Sequence, residues 1–163
     1  MNATAFAEAY TTLEEDHELV LDRVQALREI VVALMAPEGI DAPGVFARLR
    51  ELDNYFSTQF ATHIDEEEKT LFPLLEHFSP EGLALAKQLR QEHDELRRKL
   101  DGFTSCLTVA IELKNRPPKA VLEDLLIYTW DLWELLDKHA HAETRGVNEC
   151  LKQALKAGNP MPA

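Results

Sequence analysis

Hydrophobic side chains recur along most of the chain with the alternating three- and four-residue spacing of an amphipathic helix. The spacing is clearest in the first segment, where it runs through Phe6, Tyr10, Leu13, His17, Val20, Val24, Leu27, Val31 and Leu34. Because these positions share one helical face, the segment predicts a long helix with that face buried. No strand-like alternation of apolar and polar residues occurs in the sequence.

Three further segments carry the same pattern, and prolines lie in or beside each break between the segments. The three segments cover 45–74, 79–113 and 121–150. Pro73 lies inside the second segment and should kink or end that helix, whereas Ser79 precedes Pro80 as a cap for the third. Four helices joined by short loops predict an all-α protein that folds as an antiparallel up-down-up-down four-helix bundle.

Composition supports a globular protein and disfavours two classes of partner. The chain has 163 residues, of which 45% are hydrophobic, so we expect one domain over 1–157 and a flexible tail over 158–163. The net charge of -12 disfavours nucleic acid and anionic membranes as partners. The sequence begins without a signal-peptide pattern and has no apolar run of about 20 residues, so we expect a cytoplasmic protein without a membrane span.

The histidines repeat in register, and this is the most specific signal in the sequence. His63 follows His17 by 46 positions, and His139 follows His93 by the same number. A glutamate follows four positions after the second histidine of each pair, at Glu67 and Glu143. The whole pattern therefore recurs at an offset of 76 and predicts a two-metal site with pseudo-twofold symmetry.

The predicted bundle brings all four histidines to one level of the core. From His17 to the end of its helix, and from the start of the next helix to His63, the chain covers similar distances at about 1.5 Å per residue. The same holds for His93 and His139. Two carboxylates on the same core faces would be costly to bury unless they were paired or bound a metal. The alternative is a buried network of histidines and glutamates without metal.

The ligand types constrain the metal. Four imidazoles and two carboxylates suit iron or manganese better than zinc, whose structural sites are closed and often contain thiolate. Each ion would receive two histidines and share the two glutamates, which leaves at least one coordination position open on each ion. We therefore expect reactivity toward oxygen, peroxide or nitric oxide.

At these residues the chain resembles the haemerythrin-like, HHE cation-binding family, whose di-iron site lies in a four-helix bundle. The resemblance covers essentially the whole chain, and the helix-two string with its Leu-Phe-Pro ending is especially characteristic. It is carried by the motifs Glu15-Asp16-His17, His63-Ile-Asp-Glu-Glu67-Glu-Lys-Thr-Leu-Phe-Pro73, Glu92-His93-Asp-Glu-Leu-Arg97 and His139-Ala-His-Ala-Glu143.

The resemblance implies a complete ligand set and a cofactor. By resemblance, the four histidines would be terminal iron ligands, with Glu67 and Glu143 bridging. The expected cofactor is a pair of iron ions (Fe2+/Fe3+) with a bridging oxo or hydroxo group, for which manganese or zinc could substitute.

Two departures separate this chain from the oxygen-carrying haemerythrins. The carriers have a second histidine one turn after the helix-three ligand, and this chain has Arg97 at that position. The last carboxylate of the carriers is an aspartate five residues after its histidine, whereas in this chain Glu143 follows His139 by four residues. The symmetric site is more similar to the iron-centre repair proteins and the sensing domains of the family. The cysteine-bearing amino-terminal domain of the repair proteins is absent from this sequence.

Two classes of function follow from the resemblance. The first is a di-iron protein that binds or reacts with oxygen, peroxide or nitric oxide in oxidative or nitrosative stress or iron homeostasis, with an oxidase-like, peroxide-removing or nitric-oxide-handling activity. The alternative is an iron- or oxygen-sensing or storage module without turnover. The expected partners are a small diatomic ligand or peroxide, and the expected assembly is a monomer or weak homodimer. A ferritin-like oxidase is a weaker third reading, because Glu14-x-x-His17 is the only local match to its Glu-x-x-His motif.

Residues around the predicted site carry smaller expectations. Glu66 and Glu68 should be solvated, although either could bind metal or hold a ligand by a hydrogen bond. Arg97 should pair with a carboxylate beside the site. Tyr10 and Tyr128 should pack in the core, with a hydroxyl aimed at the site as the alternative, and Tyr55 should lie at the core boundary with a solvated hydroxyl.

The remaining histidines and the cysteines are expected to lie away from the site. His77 and His141 should be surface residues. Cys106 and Cys150 should lie on opposite sides of the metal layer, about 36 Å apart at the helical rise, and therefore cannot form a disulfide with each other.

Overall fold

The fold is described from a computed structural model, which gives the backbone at 3–35, 42–113 and 118–156 and the side chains at 17–35, 43–77, 79–113 and 118–153. The predicted tail over 158–163, the domain end at 157 and the side chain of Tyr10 lie outside these residues. Within them the structure is helical and contains no strand. The prediction of an all-α fold is confirmed.

Four helical segments account for the described backbone. Helix α1 is Ala3–Met35, helix α3 is Pro80–Glu112 and helix α4 is Lys119–Lys156. Between α1 and α3, helix α2 runs over 42–78 and changes its winding twice, with π-helical turns at Phe56–Phe60 and Glu67–Leu71. Helix α4 packs on α1 and α3, and α2 packs on the same two helices.

Pro73 does not end helix α2, which continues to Phe78. The π-helical turn Glu67–Leu71 comes immediately before it, and the backbone N–H of Phe72 donates to the Glu67 carbonyl, five residues back. Pro73 thus falls near the start of a new α-helical turn, where a missing N–H is tolerated. Of the two expected effects of Pro73, an end to the helix does not occur for this reason, and the helix instead changes its winding immediately before the proline.

Helix α3 begins as its sequence predicts. Ser79 has an extended backbone, with φ of -163° and ψ of 162°, and its hydroxyl oxygen accepts a hydrogen bond from the backbone N–H of Gly82 at 3.0 Å. This cap lets α3 follow α2 after a single non-helical residue. Gly82 is buried at this junction, and a Cβ built on it would lie 2.2 Å from the Leu75 carbonyl oxygen. The two helices therefore approach each other closely where they join.

The apolar core falls into two clusters on either side of a polar layer. The larger cluster takes residues after His17 in α1, up to Ile64 in α2, after His93 in α3 and before His139 in α4. The smaller cluster takes residues after Glu67 in α2, before His93 in α3 and after Glu143 in α4. The polar layer between them contains the histidines and glutamates of the repeated motif.

Two aromatic residues lie in environments that differ from the sequence expectation. Tyr55 is buried, 6% exposed, as part of the larger cluster, and the Arg23 guanidinium lies over its ring at 5.2 Å. Tyr128 is 37% exposed, and the fully buried residue beside it is Thr129, whose hydroxyl donates to the Leu125 carbonyl at 2.7 Å. This internal hydrogen bond satisfies the Thr129 hydroxyl and lets a small polar residue occupy the core face in place of the tyrosine.

The cysteines lie where the sequence predicts, on opposite sides of the polar layer. Cys106 packs against the larger cluster and Cys150 belongs to the smaller one, so the polar layer separates them, and both are free thiols. Across the described residues, no helix is both long enough and apolar enough to traverse a bilayer.

Candidate metal centre

The structure brings the six predicted site residues together in the polar layer. All six are buried, although histidine and glutamate usually occupy partly or fully exposed positions. Their exposed fractions are His17 7%, His63 6%, Glu67 0%, His93 0%, His139 4% and Glu143 1%. Each helix contributes one histidine, and α2 and α4 each contribute a glutamate four residues further on.

Glu67 lies at the centre of this cluster and contacts three histidines. Its Oε1 is 2.8 Å from His63 Nε2 and 3.2 Å from His17 Nε2. Its Oε2 is 3.2 Å from His93 Nε2. One carboxylate therefore faces histidines from three different helices, which is the position a bridging ligand requires.

Glu143 occupies the corresponding place on α4. Its Oε2 is 3.2 Å from His17 Nε2 and 3.6 Å from His139 Nε2. Its Oε1 is buried and makes no hydrogen bond within the part of the chain that the structure describes. A buried carboxylate oxygen without a partner is costly, by about 1–3 kcal/mol or more for a charged group.

His93 and His139 face each other with the same ring nitrogen. Their Nε2 atoms are 3.3 Å apart, and their ring centroids are separated by 4.9 Å. Two Nε2 atoms at this distance cannot both carry a proton directed at the other, so at most one of them is protonated. The inward direction of both Nε2 atoms is also the arrangement that a shared cation requires.

Carboxylates outside the six predicted residues hold the outer nitrogens of these two histidines. Glu68 Oε1 is 2.9 Å from His93 Nδ1, and Glu92 Oε2 is 2.8 Å from His139 Nδ1. Arg97 donates to the same Glu68 oxygen at 2.9 Å and also reaches Asp65 at 3.3 Å. The expectation that Arg97 pairs with a carboxylate beside the site is met, whereas Glu68 is not simply solvated.

Burial and hydrogen bonding perturb the protonation of the cluster. Burial lowers the pKa of His17, but contacts with Glu143 and Glu67 outweigh it and raise that pKa to about 10. Burial likewise opposes the charged form of His139, yet the Glu92 hydrogen bond and nearby carboxylates raise its pKa. Burial raises the pKa of Glu67, but hydrogen bonds from His17, His63 and His93 bring it well below its usual value. Without metal, the cluster therefore holds protons where cations would bind.

The donor atoms fit a pair of metal ions. Ligand atoms of His17, His63 and Glu67 all lie within 4.8 Å of one another, and so do those of Glu67, His93 and His139. Glu67 belongs to both groups and contacts His93 through its Oε2, whereas the buried Oε1 of Glu143 makes no hydrogen bond among the described residues. Metal coordination would give the Glu143 oxygen a partner and would take the place of the protons that the histidines share with the glutamates.

Local helix winding places two of these residues. The π-helical turn Phe56–Phe60 ends just before His63, and the turn Glu67–Leu71 begins at Glu67 itself. Each π-helical turn takes up about one more residue than an α-helical turn. The two turns therefore set the direction of the His63–Glu67 pair relative to the rest of α2.

An open cleft reaches the cluster from outside α2. Its volume is about 700 Å³, and its lining includes His63 together with Tyr55, Thr62 and Arg97. His63 is otherwise enclosed, with Phe60 at 6.0 Å between ring centroids. The cleft gives small molecules an approach to one histidine of the cluster.

The other residues considered from sequence lie outside the cluster. Glu66, His77 and His141 are exposed, as expected, and His141 Nδ1 lies 2.7 Å from the Asp137 carbonyl oxygen. The sequence pattern did not lead us to predict a role for Glu92. A signal for it exists, because an acidic residue directly precedes both His17 and His93, again at the offset of 76.

The fold and this cluster define a class: a helical protein whose buried histidines and glutamates are arranged to hold cations. The sequence profile of the Hemerythrin HHE cation binding domain matches residues 8–151. The chain therefore belongs to the hemerythrin HHE cation-binding family. Comparison with curated proteins found no match, and comparison with solved structures found none either.

Proposed function

We propose that this protein binds two iron ions between His17, His63, Glu67, His93, His139 and Glu143. The observation that carries the proposal is the position of Glu67, which faces histidines of three helices and belongs to both groups of candidate ligands. Among the described side chains, no lysine or arginine pairs with Glu67 or Glu143. Cations are needed to balance these buried carboxylates at neutral pH, and metal ions supply that charge without protonating the histidines.

The proposal includes an antiparallel up-down-up-down arrangement of the four helices. The division of the core supports it, because residues after His17 and His93 share a cluster with residues before His63 and His139. That distribution is expected when neighbouring helices run in opposite directions through the polar layer. Only positions 36–41 separate α1 from α2 along the chain, and only 113–118 separate α3 from α4, which are lengths typical of connections between antiparallel neighbours.

The donor set favours iron over a structural zinc ion. Both cysteines lie away from the six residues, in or against the apolar clusters, so no thiolate is available. Imidazole and carboxylate ligands suit iron, and an all-nitrogen and oxygen set is also compatible with manganese. The family match adds an independent reason to expect iron.

The proposed activity is binding of, or reaction with, oxygen, peroxide or nitric oxide in oxidative or nitrosative stress or in iron homeostasis. A bound iron pair would supply the ligand-binding and redox chemistry. The protein holds the imidazoles, keeps the site enclosed by apolar residues and leaves the cleft beside His63 as an approach for a small molecule. The absence of the carriers' second helix-three histidine at Arg97 favours the repair or sensing branch over oxygen transport.

A sensing or storage module is the second candidate, and the burial of Glu67 and Glu143 favours it. Two carboxylates that are 0% and 1% exposed make the folded state depend on what balances them. Loss of iron would therefore lower stability and could report iron supply through that change. This role needs no turnover.

Metal analysis of the purified protein tests the ligand set. We expect two iron ions per chain after anaerobic ferrous loading, and loss of iron in His63→Ala and His139→Ala. His141→Ala is the matched control, because His141 is exposed and outside the cluster. Unchanged iron content in either cluster variant would remove that residue from the ligand set.

A peroxide assay separates the two candidate functions. The reactive di-iron protein should remove hydrogen peroxide or consume nitric oxide faster than the same concentration of free iron. Reversible spectral changes on adding oxygen or nitric oxide, without turnover above free iron, would instead favour the module. In that case thermal stability should follow iron occupancy.

A further inference from the structure

Two carboxylates outside the six proposed ligands touch the outer nitrogens of His93 and His139. Glu92 lies on the same helix as His93, but it contacts His139 on α4, with Glu92 Oε2 at 2.8 Å from Nδ1. The other oxygen of Glu92 accepts a hydrogen bond from Gln88 Nε2 at 2.8 Å. Both oxygens of Glu92 are therefore engaged, and the carboxylate has a defined orientation.

Glu68 makes the equivalent contact one helix earlier. It lies on α2 and contacts His93 on α3, with Glu68 Oε1 at 2.9 Å from Nδ1. Arg97 Nη1 donates to the same oxygen at 2.9 Å, and Arg97 Nη2 donates to Asp65 Oδ1 at 3.3 Å. Each of the two histidines is thus held by a carboxylate of the preceding helix, and one of these carboxylates is itself held by an arginine.

The chemistry of these contacts fixes the protonation of the rings. An ionised carboxylate only accepts hydrogen bonds, so Nδ1 of His93 and Nδ1 of His139 must each carry a proton and donate it. The lone pair of a neutral ring then lies on Nε2, the nitrogen that faces the cluster. A carboxylate on the outer nitrogen also prevents ring rotation and makes the inner nitrogen more basic.

We propose that Glu68 and Glu92 are positioning residues that orient His93 and His139 for one of the two metal ions, and that Arg97 holds Glu68 in place. The proposal rests on the proposed function, since it concerns the affinity of that same site. It also assigns a role to Arg97, which stands where the oxygen carriers have a further histidine. Arg97 holds Glu68, and Glu68 in turn orients the proposed ligand His93.

Titration with Co2+ alone tests the proposal, because Co2+ binds histidine and carboxylate sites and has a visible spectrum that reports its coordination. The wild-type protein should bind two ions. Glu92→Ala and Glu68→Ala should bind one ion as tightly as wild type and the other about 10- to 100-fold more weakly. The visible bands of the weakened ion should change as well, which a purely structural defect would not produce for one ion alone.

Conservative and control variants sharpen the test. Glu92→Gln should lose less affinity than Glu92→Ala, because its amide oxygen still accepts from Nδ1–H. Arg97→Ala should weaken the same ion as Glu68→Ala, and Arg97→Lys should recover part of the loss. Glu95→Ala removes an exposed carboxylate from the same helix as Glu92 and should leave both affinities unchanged.

The outcomes distinguish this proposal from the proposed function. If wild type binds two Co2+ ions and both alanine variants bind them with unchanged affinities, the positioning role is refuted and the metal site stands. If wild type binds no Co2+, the proposed function fails and this proposal fails with it. Should Glu92→Ala lose its helical circular dichroism, Glu92→Leu decides, because leucine favours the helix but has no hydrogen-bond acceptor. Wild-type affinity for both ions together with unchanged visible bands in Glu92→Leu refutes the role of Glu92, and selective weakening of one ion supports it.

Discussion

Replacing Glu67 by glutamine should remove the effect of metal on stability almost completely. Glu67 is fully buried and is the only one of the described residues that belongs to both groups of candidate ligands. Glutamine keeps the size of the side chain and removes the charge. Both metal ions should therefore bind far more weakly, whereas His139→Ala alters only the group that contains His93.

The expected magnitudes follow from the number of groups that each variant affects. At free metal about 100-fold above the dissociation constant, each bound ion adds about 2.7 kcal/mol to the free energy of unfolding. Two independent ions add about 5 kcal/mol to wild type, and one remaining ion adds about 3 kcal/mol to His139→Ala. For Glu67→Gln we expect a gain below about 1 kcal/mol, because the affinity of each ion falls by about 100-fold or more.

Urea unfolding with and without Fe2+ under anaerobic conditions measures these gains. Glu66→Gln is the matched control, because Glu66 is the exposed neighbour of Glu67 and its variant should gain as much as wild type. A Glu67→Gln protein that is stabilised within about 1 kcal/mol of wild type would refute the bridging position of Glu67. Equal losses in Glu66→Gln would mean that surface charge, and not ligation, governs the response.

Three further predictions concern packing and pH. Gly82→Ala should lower the free energy of unfolding by about 1–3 kcal/mol, because its Cβ would meet the Leu75 backbone. In Gly102→Ala the added Cβ meets only a side chain that can move, so the free energy of unfolding should change by less than about 1 kcal/mol. Urea unfolding compares the two variants. The pKa of His17 is raised to about 10 in the folded metal-free protein, so the stabilisation from protonated His17 is complete below about pH 6.5 and is lost as the pH rises through about 10. The difference in free energy of unfolding between wild type and His17→Ala should therefore shrink across that range. A constant difference would contradict the raised pKa. Leu27→Ala, at a fully buried position in the larger cluster, should cost about 2–5 kcal/mol yet leave the iron content at two ions, as unfolding and metal analysis would show.

The sequence alone was enough to predict the helical fold and the six clustered residues. His17, His93 and His139 fall on the same three- and four-residue spacing as their apolar neighbours, so the face that forms the core also carries the histidines. The repeat at an offset of 76 then relates the two halves of the chain. Periodicity within a helix and a repeat between helices were both present, and both concern residues on core faces.

Contacts across helices could not be read in the same way. Glu68 lies beside Glu67 but off the core face of α2, and only the neighbouring helix decides that it meets His93 and not water. Thr129 is a different case, because it is the buried residue in place of Tyr128 and its hydroxyl bonds to the Leu125 carbonyl of its own helix. The π-helical turns also escaped prediction, since no local residue type marks them.

Those two turns in α2 have a consequence for anyone who would transplant this site. If the same sequence formed a straight α-helix, one end of α2 would be rotated relative to the other by roughly 100° for each extra residue that a π-helical turn contains. Grafting the histidines and glutamates onto regular helices would then aim some of them away from their partners. A faithful miniature must copy the irregular winding of Phe56–Phe60 and Glu67–Leu71 along with the six side chains.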